Sequence, residues 1–266
     1  MANAWIWSPL PFAAVSAGST APGFAAANVG NEHMGVVWKS EPGAASINID
    51  LGADIPVDSG LLLGLTGAAA GWTMRLIAAT AAQGPSFATS IYDSGVLPLL
   101  AGAAMPVNKR GRALWSNAEP VVARYWYILI TPTPSGPVTI ARIALGARIP
   151  LARNFRFGAA FGVRDLGAAD FSRRGVFLPT KGAKLRSTGL TFGSAYQDEV
   201  EGYIHPLIER LGVTGPVALV TNPAADDQRQ NRIYYGPMVG DLGTVFARAN
   251  GYEWTASVVD LDPVLP

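Results

Sequence analysis

Short runs of alternating apolar and polar residues, separated by turn-forming residues, dominate the first 146 positions of this chain. Alternation with a period of two, rich in β-branched and aromatic side chains, is typical of strands that bury one face. The pattern predicts strands at residues 35–38, 46–51, 60–65, 73–78, 124–131 and 138–145. We therefore expect an all-β domain over residues 28–146.

The most hydrophobic of these runs extends from Tyr125 to Ile130 and consists almost entirely of large side chains. Such a run suits a central strand that is covered on both faces. We expect its aromatic residues, Trp126 above all, to lie in a core and not at a ligand site.

One segment of the second half has the spacing of a helix. Ser194 and Gln197 form a capping-box pattern, and Gly212 offers a left-handed stop. Pro206 should kink or split this helix near Ile204. The apolar positions follow one face at 3.6 residues per turn: Tyr196, Val200, Ile204, Leu207, Ile208 and Leu211. Strands are predicted around it at 215–220, 236–244 and 252–259, so the second half is expected to be α+β.

Composition supports a folded and turn-rich protein. The chain has 266 residues, of which 49% are hydrophobic and only 15% charged, and it contains 30 glycines and 20 prolines. This length suits two compact domains. The charged share is well below the typical value of about 25%. We infer that other subunits cover part of the surface.

The formal net charge of +1 argues against global attraction to nucleic acid or to an anionic membrane. The absence of cysteine excludes disulfides, thiol nucleophiles and Cys-ligated metal centres, and leaves the redox compartment open. Residues 1–20 lack the basic start of a secretory signal, and the apolar stretch 60–71 is too short to span a bilayer. We expect a soluble protein with no membrane insertion.

Charge is unevenly distributed along the second half. Ten basic and two acidic residues lie between Arg142 and Arg186, whereas four basic and ten acidic residues follow Gly189. The two stretches can pair within one subunit or between neighbouring subunits. In the basic stretch, Arg alternates with Phe over residues 154–158, as on a strand with one apolar face. We therefore expect no nucleic-acid specificity.

The sequence gives little support for catalysis. His33 and His205 have no metal-like partner three or four residues away, and nucleophile-elbow, phosphate-loop and dinucleotide-binding motifs are absent. The acidic pairs have ordinary roles at a helix start or in a polar turn; they are Asp198 with Glu199 and Glu201, and Asp226 with Asp227. We expect a protein that is not an enzyme and holds no cofactor or metal.

Several segments of residues 28–146 together resemble the discoidin family, whose fold is the galactose-binding-like jelly roll. They are Asn28, Trp38-Lys39-Ser40, Ile47-Asn48-Ile49-Asp50-Leu51-Gly52, Asp93-Ser94-Gly95, Ala123-Arg124-Tyr125-Trp126-Tyr127-Ile128 and Ile140-Ala141-Arg142-Ile143-Ala144-Leu145-Gly146. Tyr127 stands where many members carry arginine, and no cysteines bracket the domain as they do in secreted vertebrate members. The resemblance is therefore to bacterial and viral members.

The order of segments after residue 150 is similar to that in minor tail proteins of long-tailed bacteriophages. The segments are Phe157-Gly158, Ser172-Arg173-Arg174-Gly175, the Ser194 helix, Pro216-Val217-Ala218-Leu219-Val220 with Asn222-Pro223, and Tyr235-Gly236-Pro237-Met238. In those proteins the carboxy-terminal part is tail-tube-like and packs into rings. The two resemblances together span roughly residues 28–262.

These observations imply a mainly β chain with an N-terminal arm at 1–27, a discoidin-like jelly roll at 28–149 and an α+β tail-tube-like assembly domain at 150–266. The implied function is that of a structural virion protein at or near a phage tail tip, assembled in the host cytoplasm. Its partners would be other tail proteins and further copies of itself in a ring. The basic residues predicted at the subunit interface are Arg148, Arg153, Arg156, Arg173 and Arg174.

The alternative is a carbohydrate-binding module that attaches to a host-surface glycan, because jelly rolls of this kind often bind glycans through apical loops. The aromatic residues predicted to bind the sugar are Trp72, Tyr92 and Trp115.

Overall fold

A computed structural model describes residues 3–263 of the chain. In chain order its strands are β1 Trp5–Trp7, β2 Ala14–Ala17, β3 Trp38–Lys39, β4 Ala45–Thr66, β5 Thr73–Ala79, β6 Tyr92–Asp93, β7 Leu97–Pro98, β8 Arg110–Thr131, β9 Thr139–Ile140, β10 Arg142–Gly146, β11 Ala160–Asp165, β12 Ala168–Phe171, β13 Phe177–Thr180, β14 Lys184–Tyr196, β15 Pro216–Val220, β16 Ile233–Pro237, β17 Thr244–Arg248 and β18 Gly251–Val259. The fold is mainly β.

One helix, α1, covers residues 197–211. It is α-helical over Gln197–Glu199, π-helical over Val200–Ile204 and α-helical again over His205–Leu211. Short 3-10 turns occupy Ala26–Gly30 and Arg229–Arg232.

The chain divides into two compact units. The first, the sandwich unit, comprises residues 7–148 and 223–233, and the second, the helix unit, comprises the described residues among 1–6, 149–222 and 234–266. Residues 223–233 belong to the sandwich unit because the Gln230 side chain donates to the carbonyl of Ala104 and accepts the amide of Arg112. The two units are therefore not separated by a single boundary near residue 150, because the chain crosses between them more than once.

The N-terminal segment is integrated into the fold. The strand β1 joins the three-stranded sheet β1-β15-β16, and β2 pairs antiparallel with β4 from Ala14↔Asp50 to Ala17↔Ile47. The segment for which an N-terminal arm was predicted, residues 1–27, thus contributes two paired strands, and its backbone satisfies strand edges that would otherwise be open.

Two 22-residue strands, β4 and β8, build the sandwich unit. The first part of β4 pairs with the last part of β8, beside β2 and β5, whereas the second part of β4 pairs with the first part of β8 and with β10. Irregularities of register between Asp50 and Ile55 and between Leu62 and Leu65 interrupt the ladder. Such bulges let one strand bend and take part in both layers of a β-sandwich.

Buried side chains of both long strands fill the sandwich core. Ile47 and Ile49 of β4 meet Trp126 and Ile128 of β8, and Trp126 is fully buried, as predicted from the sequence. The residues between them, such as Asn48 and Tyr127, point to the opposite face because side chains alternate along a strand. This alternation creates an outer face on the β2-β4-β8-β5 layer. The expectation that the aromatic residues of the 125–130 run all lie in a core is therefore wrong for Tyr125 and Tyr127, which are half-buried on this face.

The helix unit combines α1 with the sheet β11-β14-β18-β17. Its core contains Phe192 and Trp254, whose rings stack at 5.3 Å between centroids, and Val200, Ile204 and Leu207 of the helix. The helix begins after Tyr196, where Glu199 accepts the Tyr196 amide, and not at Ser194 as predicted. The kink or split predicted near Ile204 is not a break in the helix: Val200–Ile204 forms a π-helical turn that continues into His205–Leu211, and Gly212 ends the helix with φ +52°.

One strand prediction in this half is wrong, and three strands were missed. Residues 236–244 do not form one strand, because β16 ends at Pro237 and β17 begins at Thr244. The strands β11, β12 and β13 were not predicted, and every one of their side chains is exposed. A strand without a buried face carries no alternating apolar signal.

Candidate functional site

A cleft on the outer face of the sandwich unit brings together polar and aromatic side chains of four segments. It has a volume of about 270 Å³ and is lined by Ala14, Val15, Ser16, Asn48, Ile49, Asp50, Pro85, Phe87 and Tyr125. We call this cleft, with the adjacent Arg124 and Tyr127, the outer-face site. Its side chains come from β2, β4, β8 and the loop after β5.

A bidentate ion pair forms the polar end of the site. Arg124 Nε and Nη2 donate to Asp50 Oδ1 and Oδ2 at 2.7 and 2.9 Å, and the Gly52 amide also donates to Oδ1 at 2.7 Å. The hydrogen bonds from Arg124 hold the pKa of Asp50 below its ordinary value, and the Gly52 amide acts in the same direction. Asp50 is therefore an ionised acceptor, and its charge is balanced by Arg124.

Asn48 lies two residues before Asp50 on the same face. Its Oδ1 is buried and finds no hydrogen-bond donor within residues 3–263. Nearly all buried polar atoms in folded proteins are hydrogen-bonded, so an unpaired acceptor at a cleft wall calls for a donor from a ligand or from solvent.

Aromatic rings form the apolar side of the site. Phe87 lies 5.5 Å from the Tyr127 ring, and the Arg124 guanidinium lies 4.9 Å from the Tyr125 ring. Phe87 has φ +54°, a conformation that is costly for a residue with a bulky side chain. Strained backbone of this kind clusters at ligand-binding positions, where the surrounding structure maintains it.

The aromatic residues predicted to bind a sugar lie elsewhere. Trp72 is 5% exposed and Trp115 is 1% exposed, so neither ring offers a face to a ligand. Tyr92 is half-buried and its hydroxyl accepts the Trp115 Nε1 proton at 3.0 Å. This prediction is corrected because these rings pack into the sandwich core, where the apolar area that they bury stabilises the unit.

Three of the five basic residues predicted at a subunit interface have partners inside their own unit. Arg148 pairs with Asp58 at 3.2 Å. Arg153 donates to the Tyr196 hydroxyl at 2.8 Å, and Arg156 makes a bidentate ion pair with Glu253 at 2.8 and 3.1 Å.

Arg173 and Arg174 are placed differently. Both are exposed in the turn that joins β12 to β13. Their role at a subunit interface stays a prediction.

The remaining candidates for chemistry are dispersed. His33 is exposed in a turn, and His205 Nε2 lies 2.7 Å from Thr244 Oγ1. Asp226 is paired with Arg232, which lowers the pKa of Asp226. In the part of the chain that the structure describes, no three His, Asp or Glu side chains are grouped as metal ligands, and no helix has the length and apolar character needed to cross a membrane.

Sequence reasoning did not single out Asn48, Asp50 or Phe87 as site residues. The signal for the first two was present, because Ile47-Asn48-Ile49-Asp50 alternates and places both polar side chains on one face. Nothing local indicated that the loop carrying Phe87 folds over that face.

No protein-family model and no curated protein matches this chain. Among solved structures, about half of it is similar to carbohydrate-binding domains. The lectin-binding domain of lectinolysin, a His 62 mutant complexed with Lewis b, has 15% identity and a TM-score of 0.39, with 51% of this chain and 92% of that chain covered. Chitosan-binding module 1 from the chitosanase/glucanase of Paenibacillus sp. IK-5 has 15% identity and a TM-score of 0.40, covering 53% and 99%. The Streptococcus pneumoniae fucose-binding module SpX-3 has 11% identity and a TM-score of 0.39, covering 53% and 98%.

Proposed function

We propose that the sandwich unit is a carbohydrate-binding module and that it binds an uncharged saccharide at the outer-face site. The observation that carries the proposal is the juxtaposition of two half-buried rings, Phe87 and Tyr125, with the fixed carboxylate of Asp50 in one cleft. Binding sites for small ligands combine apolar walls with a few positioned polar groups in this way. The proposed activity is recognition, and no catalytic step is assigned to the site.

The polar groups favour hydroxyl donors over an anionic ligand. Asp50 and Arg124 balance each other, so a bound carboxylate or sulfate would meet the ionised Asp50 without a free cation to offset it. Sugar hydroxyls can donate to the partly exposed Asp50 carboxylate, while the C–H face of a pyranose packs on Phe87 and Tyr125. A neutral hexose or deoxyhexose unit has both features.

The proposal is tested by screening the full chain against an array of neutral and anionic oligosaccharides and measuring the positives by calorimetry. Asp50→Asn is expected to weaken binding about 10- to 100-fold, since it replaces a charged acceptor. Phe87→Ala is expected to weaken it roughly 2- to 10-fold, the range for one aromatic contact.

Two matched variants serve as controls. Phe24→Ala removes another partly exposed ring of the same unit, and Asp93→Asn removes the carboxylate of another Arg–Asp pair, formed with Arg75. Both should leave the affinity unchanged. Absence of binding across the array, or binding that neither Asp50→Asn nor Phe87→Ala weakens, would reject the proposal.

The second candidate function is that of a structural protein of a phage tail, which forms a ring through its C-terminal half and displays the sandwich unit. The observation that favours it is a large exposed apolar surface on the helix unit, which suits burial in an assembly. Electron microscopy of assembled particles with a labelled antibody against the chain tests it. Label at the tail end supports this function, and particles without label reject it.

A further inference from the structure

The helix unit carries an arm whose large apolar side chains are exposed. The arm consists of β11, β12, β13 and the residues that connect them, with Phe157 at its start. Eight large apolar side chains in it are between 50% and 102% exposed: Phe157, Phe161, Val163, Leu166, Phe171, Val176, Phe177 and Leu178. Contiguous apolar patches on soluble proteins mark surfaces that a partner covers.

The end of the arm is a preformed basic tip. Phe171 and Phe177 are the last paired residues of the hairpin, with ring centroids 5.4 Å apart. Beyond them the Ser172 amide donates to the Val176 carbonyl at 2.9 Å, and Ser172 Oγ accepts the amides of Arg174 and Val176 at 3.3 and 3.1 Å. This turn presents Arg173 and Arg174 to solvent, and its order lowers the entropy lost on docking.

A cleft of about 460 Å³ on the same unit has the complementary character. It is lined by His205, Ile208, Glu209, Leu242, Gly243, Thr244, Phe246 and Tyr252. Phe246 packs edge-on against Tyr252 at 5.1 Å between ring centroids and is 60% exposed. Glu209 supplies one carboxylate at this cleft. A second carboxylate, that of Glu201, accepts a hydrogen bond from the Tyr252 hydroxyl at 3.5 Å. Exposed rings beside carboxylates favour a guanidinium, through ion pairing and cation–π contact.

The arm leaves one edge of a four-stranded sheet, and the cleft lies at the opposite edge. In the order β11-β14-β18-β17, the arm continues from β11 and the cleft includes residues of β17. Three strand spacings separate these edges by about 14 Å. One copy can therefore engage a neighbour at each edge, which is the geometry of a head-to-tail contact.

We propose that the Arg173–Arg174 tip of one copy docks into the Glu209–Phe246–Tyr252 cleft of a second copy of this chain. The charges of tip and cleft are opposite, and the apolar arm behind the tip supplies the area that a stable contact needs. Repetition of this contact gives a closed ring or an open row, depending on the rotation per copy. The inference is independent of saccharide binding, and it gives the ring of the second candidate a defined contact.

Sedimentation velocity of the full chain over a range of concentrations tests the contact. Wild type should associate as the concentration rises, and Arg173→Glu with Arg174→Glu should weaken association roughly 100-fold, as expected when close charge pairs are reversed. Arg173→Lys with Arg174→Lys keeps the charge and should retain most of the association. Glu209→Lys should impair association as strongly as the tip reversal, and it places a favourable positive charge near the helix C-terminus.

Mixing the two reversed proteins identifies the partner. The tip-reversed protein keeps an acidic cleft and the Glu209→Lys protein keeps a basic tip, so the mixture should associate at concentrations at which neither protein associates alone. Circular dichroism of each variant checks the fold, and the saccharide array, read on the same variants, reports the sandwich unit separately.

Three results would overturn the proposal. They are a wild-type chain that stays monomeric at every concentration, a tip-reversed protein that associates as wild type does, and a mixture that remains monomeric.

Discussion

Replacement of Trp126 by alanine tests whether this side chain of β8 belongs to the core of the sandwich unit. Trp126 is fully buried, 5.3 Å from the Trp115 ring and 6.5 Å from the Tyr92 ring, measured between centroids. Emptying a large aromatic site costs about 3–5 kcal/mol of unfolding free energy. Two aromatic contacts, each worth about 0.5–1.5 kcal/mol, are lost with the ring, so we expect a value toward the upper end of this range.

Two further variants separate the causes of this loss. Trp126→Phe keeps an aromatic ring and removes a buried Nε1 that has no acceptor within residues 3–263, so it should cost less than half as much. Val122→Ala changes the same strand at a position that is 47% exposed, and we expect a cost below about 0.5 kcal/mol.

Guanidinium unfolding, followed by near-ultraviolet circular dichroism and by fluorescence, gives these free energies by linear extrapolation. If the denaturant midpoint falls while the slope of the unfolding free energy against denaturant concentration is unchanged, the substitution has lowered the stability of the native state. A cost below about 1 kcal/mol for Trp126→Ala would refute the assignment of this side chain to the core.

The other predictions concern local interactions. Glu199→Ala should lower the unfolding free energy by about 2–4 kcal/mol, because the buried carboxylate accepts the amides of Ala152 and Tyr196; the exposed neighbour variant Asp198→Ala should cost under about 0.5 kcal/mol in the same denaturation assay. An NMR titration should give Asp93 a pKa of about 2, set by hydrogen bonds from Arg75 and then from the Gly95 amide, and Arg75→Gln should return it toward 3.8. Since this pKa is depressed on folding, the pair's contribution to stability is complete above pH 3.8 and is lost as the pH falls through about 2. Limited trypsin digestion should cut first at the exposed Arg173, Arg174 and Arg153, and early cuts within β8 would contradict the compact sandwich.

Local patterns were sufficient where a segment had one buried face. The alternation of residues 46–51 and the apolar run of residues 125–130 predicted strands that the structure contains, and Gly212 marked the end of the helix because a left-handed conformation is open to glycine. Local patterns were insufficient at the helix start. The acceptor there is Glu199, whose carboxylate also accepts the amide of Ala152, a residue 47 positions away.

The outer-face site shows the same division. Alternation alone places Asn48 and Asp50 on one face, and it places Tyr125 and Tyr127 together likewise. Their assembly into a site depends on the pairing Asp50↔Tyr125 and on the loop that carries Phe87 over them. The sequence around Trp72 and Trp115 does not show whether their rings are buried or exposed, because aromatic side chains occur both in cores and at ligand sites.

The sequence by itself determined that the chain is mainly β, that the runs at residues 46–51 and 125–130 lie in strands, where the helix ends and that Trp126 is buried. These properties depend on the period of apolar side chains and on the backbone preferences of single residues. Only the tertiary structure decided that β4 and β8 each run through both layers, that residues 223–233 join the sandwich unit, and that the arm of residues 157–180 exposes its strands on both faces. These features depend on pairing between residues that are distant in the sequence. Such pairing does not produce a periodic pattern of apolar residues in either segment, so it cannot be predicted from one segment alone.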